Sequence, residues 1–266
     1  MINYYTCTFG HMRPDLWEGR GGVPVMIVAS NYLSDAGRLR VRPVPPQCRP
    51  VFADCGGFYW AKKGVDYPYS YADYIAWLGA MRPDYAATWD YPCEAEVASD
   101  DAAVLSRQRR TIEHARALLS IEGSWEWVPV VQGRTLDQYL AHAAMYRDAG
   151  LVRPYMGIGS LCRRTRVAEI IGIVRAISAV LPGTRFHLFG VKSQIFRQRE
   201  ALPASVESAD SGAWNGMFGK GRDKWKHAQT RGLSQSQYEV WEALPRYRTS
   251  VEAALGGVKQ LALATT

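Results

Sequence analysis

Residues 155–190 read YMGIGSLCRRTRVAEIIGIVRAISAVLPGTRFHLFG and contain two short apolar runs on either side of a helical pattern. The first run, Tyr155–Ser160, has the length of a strand and ends in Gly and Ser, and the second, Arg185–Gly190, has the same character. Between them, apolar residues recur with helical spacing over Arg166–Val180, and Leu181-Pro182-Gly183 then ends the helix. This order predicts a strand, a covering helix and a second strand parallel to the first.

The same alternation extends along the whole chain. Eight short runs are rich in Val, Ile, Tyr or Phe: Ile2–Phe9, Val23–Ala29, Pro50–Asp54, Tyr85–Asp90, Trp127–Gln132, Tyr155–Ser160, Arg185–Gly190 and Val206–Asp210. Helical periodicity is found in four segments between them: Tyr71–Met81, Ala98–Leu119, Leu136–Asp148 and Arg166–Val180.

Eight strands that alternate with helices predict an α/β fold, a closed (β/α)8 barrel of the TIM type. We expect a single domain over residues 1–266, in which residues 216–266 form a short basic segment packed on the barrel. An open doubly wound sheet is the alternative, but no GxGxxG turn follows the first run.

The composition is that of a globular protein: 47% of the 266 residues are hydrophobic and 21% are charged. No stretch approaches the roughly 18 to 20 apolar residues of a membrane span, and the amino terminus lacks the pattern of a secretory signal. We therefore expect a cytoplasmic protein, in the host cytoplasm if the source is viral. The five cysteines are odd in number and widely spaced, which favours reduced thiols over a disulfide framework.

Basic residues outnumber acidic ones by 32 to 25, and the formal charge of +7 favours a polyanionic partner. Arginines cluster after the sixth run, and lysines, arginines and aromatic residues are mixed beyond residue 213. Such a mixture suits a phosphate backbone with unstacked bases, although a solvated basic face explains any one cluster equally well. The predicted nucleic-acid contacts are Arg163, Arg164, Trp214, Lys220, Arg222, Lys224 and Lys226.

Polar residues follow six of the runs, at the strand ends where the active sites of barrel enzymes lie. They are Asn31, Asp54, Asp90, Gln132, Ser160 and Asp210. The five histidines form no HxH or HxxxH pair, which argues against a metal-dependent barrel hydrolase. Paired carboxylates without a metal suit substitution at the anomeric carbon of a sugar, and hence glycosyl transfer or hydrolysis. A helix cap is the alternative role for any one of these aspartates.

Aromatic and glycine residues beside the acids favour a flat ligand. Asp54 is followed by Cys55-Gly56-Gly57-Phe58, so that backbone and an aromatic ring could both contact a planar heterocycle. Phe189 offers a second ring from across the mouth, and Asp90 with Gln132 could read the amidine and carbonyl groups of guanine. Two core phenylalanines and a Gly-Gly turn are the alternative interpretation.

Seven motifs in register, over roughly residues 24–215, resemble those of the tRNA-guanine transglycosylase superfamily, and in particular the short phage (DpdA-like) enzymes that place 7-deazaguanines into DNA. The motifs are Ala29–Leu33 (similar to GNTYHL), Asp54–Phe58 (DSGGF), Thr88–Glu94 (loosely FDEC), Pro129–Gly133 (IVQGG), Gly157–Leu161 (ALGSL), His187–Gly190 (HLFG) and Ala209–Trp214 (FDSAAW).

The resemblance implies a (β/α)8 fold and a base exchange that needs neither ATP nor another cofactor. Asp210 would attack C1′ of a guanosine nucleotide and form a covalent sugar ester. Asp54 would give a proton to the departing guanine and take one from the incoming 7-deazaguanine. The residues implied in base binding are Asn31, Phe58, Asp90, Gln132, Gly133, Gly159, Ser160, Phe189 and Gly190.

The chain also departs from the tRNA enzymes. Their zinc-binding CxCxxC motif has no counterpart, because no Cys follows Trp214, and we therefore expect no metal. We also expect the chain to end near the last strand of the barrel, without the accessory RNA-binding domains of the archaeal enzymes. Ser160 stands where the bacterial motif has its second Gly, so the preference among cyano, aminomethyl and amidino bases stays open.

These observations predict a DNA-guanine transglycosylase, a pentosyltransferase that exchanges guanine in DNA for a 7-deazaguanine such as 7-cyano-7-deazaguanine (preQ0). A guanine within a duplex must be flipped out, unless the enzyme acts on single strands. The same chemistry on tRNA, a non-catalytic protein that binds nucleic acid or 7-deazaguanine, and a plain glycosidase are the alternatives. We also expect a monomer.

Overall fold

The computed structural model describes residues 2–7, 22–212 and 228–255. Its central feature is a sheet of nine short strands, in which every pair of neighbours is parallel. The strands are β1 (Asn3–Cys7), β2 (Val25–Val28), β3 (Val51–Asp54), β4 (Tyr85–Ala87), β5 (Glu126–Val128), β6 (Val130–Val131), β7 (Tyr155–Ile158), β8 (Arg185–Leu188) and β9 (Val206–Ser211).

The sheet curls into a nearly closed barrel. Its order is β5-β4-β3-β2-β1-β9-β8-β7-β6, and the two strands at the ends of this order, β5 and β6, are separated along the chain by Pro129 alone. The amide nitrogen of Thr88 donates to the carbonyl of Val128, and that of Gly157 donates to the carbonyl of Pro129. The predicted barrel is thus confirmed. Its fifth run, Trp127–Gln132, is divided in two because proline has no N–H for a ladder.

Helices lie in four of the connections between strands and after the last strand. They are α1 (Gly57–Lys62), α2 (Tyr71–Met81), α3 (Asp101–Leu118), α4 (Leu136–Asp148), α5 (Val167–Val180), α6 (Gln235–Tyr238) and α7 (Leu244–Ala254). Ala29–Asn31 and Ser193–Ala201 form 3-10 helical segments, and Glu239–Ala243 forms a π-helical segment. Among the described residues, we find no helix with the length and apolar character needed to cross a membrane.

Capping side chains explain the helix boundaries. Helices α2 and α4 begin where the sequence predicts because Ser70 and Thr135 form capping boxes at their amino termini, and they also end at the predicted residues. Helix α3 begins at Asp101, three residues later than predicted, because the side chain of Asp100 accepts a hydrogen bond from the amide nitrogen of Ala103. Helices α1, α6 and α7 lie outside the segments with predicted helical periodicity, and α1 is too short to show a helical period.

Side chains alternate between the barrel interior and the layer under the helices. In β1, Tyr5 belongs to the interior cluster, whereas Tyr4 faces outward and its hydroxyl lies 2.7 Å from that of Tyr247 on α7. Phe52 on β3 also faces the interior, in edge contact with Tyr5. Asp54 lies two residues after Phe52 and therefore shares the inward face, at the mouth of the barrel.

Candidate active site

A cavity of about 160 Å³ lies at the carboxyl ends of the strands. This volume is below the roughly 300–1,000 Å³ of clefts that hold drug-sized ligands, so the cavity suits one compact ring. Its walls are Cys7, Met26, Val28, Asp54, Gly57, Phe58, Asp90, Pro92, Glu94, Gln132, Gly159, Ser160, Cys162, Phe189, Gly190 and Asp210. The structure therefore brings together both aspartates predicted to be catalytic and most of the residues predicted to bind the base.

Asp210 lies on β9, and three donors hold its carboxylate. The amide nitrogen of Gly190 donates to Oδ1 at 2.8 Å, and Nε2 of His187 lies 3.2 Å from the same oxygen. The thiol of Cys7 donates to Oδ2 at 3.2 Å. The side chain is oriented by these contacts and only 4% of the residue is exposed, which suits a nucleophile that must meet one carbon atom of a substrate.

His187 is a neutral partner of this carboxylate. Burial lowers the pKa of His187, and the nearby charge of Asp210 only partly opposes the shift. Nδ1 lies 2.5 Å from the hydroxyl oxygen of Ser208, which also contacts the hydroxyl of Tyr155. The arrangement fits the tautomer in which Nδ1 accepts from Ser208 and Nε2–H donates to Asp210.

Asp54, the last residue of β3, faces the same cavity in a different environment. Burial raises the pKa of Asp54 to about 7, and repulsion from Asp90 and Asp210 adds to the shift. Near neutral pH this carboxyl group can therefore both give and take a proton, whereas an ordinary Asp would be ionised. The two acids in one cavity thus differ in environment: donors hold the carboxylate of Asp210, whereas burial gives Asp54 a pKa that suits proton transfer.

A polar network lines the part of the cavity that the sequence assigns to the base. Nε2 of Gln132 donates to Oδ2 of Asp90, and Oε1 of Gln132 accepts from the hydroxyl of Ser160 at 2.6 Å. Burial raises the pKa of Asp90 to about 6, although hydrogen bonds from Cys55 and Gln132 oppose the shift. A carboxylate beside a carboxamide presents acceptors and a donor together, which complements the N–H and carbonyl groups of guanine.

The loop after β7 brings backbone close to this network. A Cβ atom at Gly159 would lie 2.3 Å from Nε2 of Gln132, so a larger residue here would displace the Gln132 carboxamide. Ser160 has a φ of 53°, a left-handed conformation that costs a non-glycine residue about 1–3 kcal/mol. Its hydroxyl accepts from the amide nitrogen of Cys93 at 2.7 Å, which helps to hold the strained residue at the cavity wall.

A protein-family model described as DpdA, DeoxyPurine in DNA protein A, matches residues 8–251. The chain belongs to the DpdA family. No match is found among the curated proteins. The matched range includes Asp54 and Asp210, and membership in the DpdA family supports a function of the DNA-guanine transglycosylase type in general terms. The family assignment made from the seven motifs is therefore confirmed.

Of the residues that the sequence assigns to the base, Phe58 and Phe189 line the cavity of this DpdA-family chain, and Asn31 and Gly133 do not. Asn31 is exposed at the end of the 3-10 turn after β2. Gly133 packs against α4, where a Cβ atom would lie 2.8 Å from the amide nitrogen of Tyr139. The geometry gives no support for contacts of these two residues with a base in the cavity.

Two arginines that the sequence assigns to nucleic acid differ in their surroundings. The Arg163 side chain is 53% exposed, pairs with Glu96 and lies 5.9 Å from the ring centroid of Phe58, so a phosphate at the cavity rim can reach it. The Arg164 side chain is 12% exposed and donates to the carbonyl oxygens of Ser160 and Arg134. Arg164 therefore stabilises the loop after β7 from within, because its donors are used inside the protein.

The other predicted nucleic-acid contacts of the DpdA-family chain lie outside the described residues, and they stay predictions. They are Trp214, Lys220, Arg222, Lys224 and Lys226.

Sequence reasoning missed the thiols that surround the site. Burial raises the pKa of these thiols, so they stay protonated and each donates to a carboxylate of the cavity. The pairs are Cys7 with Asp210, Cys55 with Asp90 and Cys162 with Glu94. The nearness of Cys55 and Cys93 to the predicted acids was a signal, but sequence does not show which thiol faces which carboxylate.

Sequence reasoning also did not assign roles to His187 and Glu94, although both lie within the motifs that carry the DpdA resemblance. His187 lies inside a strand, and an inward-facing core histidine has the same sequence pattern. Glu94 follows β4 by seven residues, in a loop whose path no periodicity reveals.

Within the described part of this DpdA-family chain, one group of side chains could hold a metal ion. Ligand atoms of Asp54, Cys55 and Asp90 all lie within 4.8 Å of one another. The thiol of Cys55, however, donates to Asp90 at 3.0 Å, and burial raises the pKa of Cys55 well above its usual value. A protonated thiol is a poor metal ligand, so this group fits a hydrogen-bonded cluster better than a metal site.

Proposed function

We propose that this DpdA-family protein is a DNA-guanine transglycosylase that replaces a guanine in DNA with a 7-deazaguanine, with preQ0 as the first base to test. One observation carries the proposal: a ring-sized cavity holds both Asp210, with its three hydrogen-bond donors, and Asp54, whose pKa burial raises to about 7. The pairing provides a nucleophile and a proton-transfer group for substitution at a sugar carbon.

In the first step, a carboxylate oxygen of Asp210 attacks C1′ of the target deoxyguanosine. The bond between C1′ and N9 breaks, its electron pair leaves with guanine, and protonated Asp54 supplies the proton that guanine takes up. The product is a covalent ester between Asp210 and the deoxyribose. His187 and Gly190 donate to Oδ1 of Asp210, which leaves Oδ2, bound more weakly by a thiol, as the attacking oxygen.

In the second step, ionised Asp54 takes the N9 proton of the incoming 7-deazaguanine. N9 then attacks C1′ and displaces Asp210 as a free carboxylate, which restores the enzyme. One glycosidic bond is broken and another is made, so the exchange needs neither ATP nor a cofactor. The same carboxyl group of Asp54 acts as acid in one half-reaction and as base in the other, which requires a pKa near the working pH.

Base recognition in this account rests on Asp90 and Gln132. Asp90 accepts from the N1 and N2 groups of guanine, and the carboxamide of Gln132, with the backbone of the Gly159–Ser160 loop, binds O6. Phe58 and Phe189 line the same cavity and provide rings for the two faces of the base.

The polymer is DNA in this proposal because the family model describes deoxypurines in DNA. A stacked guanine is out of reach of a cavity inside a barrel mouth, so the nucleotide is flipped out or is already single-stranded. Arg163, exposed beside Phe58, is the described residue best placed to bind a phosphate next to the flipped nucleotide.

The test is incorporation of radiolabelled preQ0 by purified protein into duplex DNA, single-stranded DNA and unmodified tRNA, with Asp210→Ala in parallel. We expect label in DNA with the wild type and none with the variant. Label only in tRNA would favour the tRNA alternative, and release of free sugar without incorporation would favour a glycosidase. Tight binding of nucleic acid without exchange of any base would favour the non-catalytic alternative.

A further inference from the structure

Glu94 is a buried acid in the wall of the cavity, and the mechanism above does not use it. The residue is 7% exposed and lies in the loop after β4. Its Oε1 accepts from the thiol of Cys162 at 3.3 Å, and its Oε2 lies 3.1 Å from the hydroxyl oxygen of Ser160. Arg164, on the neighbouring loop, forms its ion pair with Glu169, and its charge also favours the ionised form of Glu94.

The donors around Glu94 do not fill the acceptor capacity of its carboxylate, although its own amide nitrogen, the thiol of Cys162 and the hydroxyl of Ser160 contribute. Two carboxylate oxygens can accept about four hydrogen bonds, and a thiol is a weak donor. The hydroxyl of Ser160 has a single hydrogen, and two acceptors compete for it: Oε2 of Glu94 at 3.1 Å and Oε1 of Gln132 at 2.6 Å. When that hydrogen bonds to Gln132, Oε2 of Glu94 has no donor from Ser160. A buried carboxylate in this state is stabilised by any ligand that brings N–H donors.

The order of contacts locates Glu94 relative to a bound base. Asp90 contacts Gln132, Gln132 contacts Ser160, and Ser160 contacts Glu94. If Asp90 binds the N1 and N2 groups and Gln132 binds O6, Glu94 lies two contacts beyond Gln132, past Ser160, in the same direction along the edge of the base. On guanine the atom beside O6 on that edge is N7, and a 7-deazaguanine carries carbon and its substituent there.

We propose, on the basis of the transglycosylase function above, that Glu94 binds the substituent at position 7 of the incoming base and selects substituents with N–H donors. An aminomethyl or amidino group donates to Oε2 of Glu94 and places a positive charge beside the carboxylate. A cyano group offers only an acceptor nitrogen to the same carboxylate. The protein therefore accepts 7-cyano-7-deazaguanine but prefers a base that carries an amine or amidine at position 7.

The experiment measures release of labelled guanine from DNA as each unlabelled base enters. The bases are guanine, unsubstituted 7-deazaguanine, 7-cyano-7-deazaguanine and 7-aminomethyl-7-deazaguanine, and kcat/KM is determined for each. The proteins are the wild type, Glu94→Gln and Glu122→Gln. Glu122 is an exposed residue before β5, at the opposite end of the barrel, and provides the same chemical change away from the cavity.

We expect the wild type and Glu122→Gln to prefer the aminomethyl base over the cyano base. Glu94→Gln should lower kcat/KM for the aminomethyl base by about 10- to 100-fold, the effect of one hydrogen bond to a charged group. Its kcat/KM for unsubstituted 7-deazaguanine should stay within about threefold of the wild type, which also shows that the variant is folded.

A wild type that prefers the cyano base, or a Glu94→Gln variant with an unchanged ratio between the two bases, would overturn the role of Glu94. Either result leaves the transglycosylase function intact, because guanine and 7-deazaguanine still exchange. Failure of every base, guanine included, to release label would instead overturn the transglycosylase function itself.

Discussion

Nε2 of His187 lies 3.2 Å from Oδ1 of Asp210, and Nδ1 of the same ring lies 2.5 Å from the hydroxyl oxygen of Ser208. A neutral imidazole therefore links the proposed nucleophile to a hydroxyl pair in the barrel interior, because the hydroxyl of Tyr155 also contacts Ser208. This link fixes the orientation of the Asp210 carboxylate, and the neutral ring places no positive charge beside it.

The first prediction concerns this link. His187→Phe preserves ring packing against Phe52, whose centroid lies 4.6 Å away, but removes the donor to Asp210. We expect single-turnover release of guanine to slow by about 10- to 100-fold, because misorientation of a reacting group has costs of this size. A change in KM for DNA should be small. Release at the wild-type rate in a correctly folded variant would show that His187 does not position the nucleophile.

The second prediction concerns pH. The pKa of Asp54 is raised to about 7, so the protonated fraction falls as the pH increases through 7. Release of guanine needs protonated Asp54 and should slow above pH 7, whereas entry of the new base needs ionised Asp54 and should slow below pH 7. Rapid-quench measurements of each half-reaction between pH 5 and pH 9 provide the check. Parallel profiles for the two half-reactions would contradict the double role of Asp54.

The third prediction uses two glycines. A Cβ at Gly159 would lie 2.3 Å from Nε2 of Gln132, whereas a Cβ at Gly172 on α5 meets no atom within 4 Å. Gly159→Ala should displace Gln132 and raise KM for the incoming base by about tenfold, which corresponds to the loss of about one hydrogen bond. Gly172→Ala should leave KM unchanged and stabilise the protein by up to about 1 kcal/mol. Equal KM values in the two variants would show that Gln132 does not contribute to binding of the incoming base.

The fourth prediction separates the two neighbouring arginines. Arg163→Ala should weaken DNA binding, with little effect on the melting temperature. The slope of log affinity against log salt concentration should decrease in magnitude by about one. Arg164→Ala should lower the free energy of unfolding by about 1–3 kcal/mol, because the carbonyls of Ser160 and Arg134 lose their donor. Salt titrations of DNA affinity and thermal melts distinguish the two effects. Weaker DNA binding only in Arg164→Ala, with a lower melting temperature only in Arg163→Ala, would contradict the roles assigned to the two arginines.

Much of the fold was predictable because each strand is short, apolar and followed by a turn residue. Helices α2 and α4 match their predicted boundaries because capping residues are local signals. The division of the fifth run at Pro129 was not predictable, because it depends on closure of the barrel. Helix α7 was not predictable either, because contacts between residues far apart in the chain, such as Tyr247 with Tyr4, determine its position.

The candidate site was predictable where a carboxylate lies at the end of a predicted strand, as at Asp54 and Asp210. Placement of Arg164 was not, since a basic residue after a strand faces solvent or protein depending on the loop conformation. The environment of Glu94 was equally hidden, because Ser160 and Cys162 reach it from a loop more than 60 residues away in the chain.

The most direct test of the account is to trap the covalent ester. The protein is incubated with guanine-containing duplex or single-stranded DNA in the absence of an incoming base, denatured rapidly, and digested for mass spectrometry. We predict a deoxyribose adduct on the peptide that contains Asp210, absent in Asp210→Asn and discharged when a 7-deazaguanine is added. An adduct on another residue, or base exchange that persists in Asp210→Asn, would contradict the assignment of Asp210 as the nucleophile.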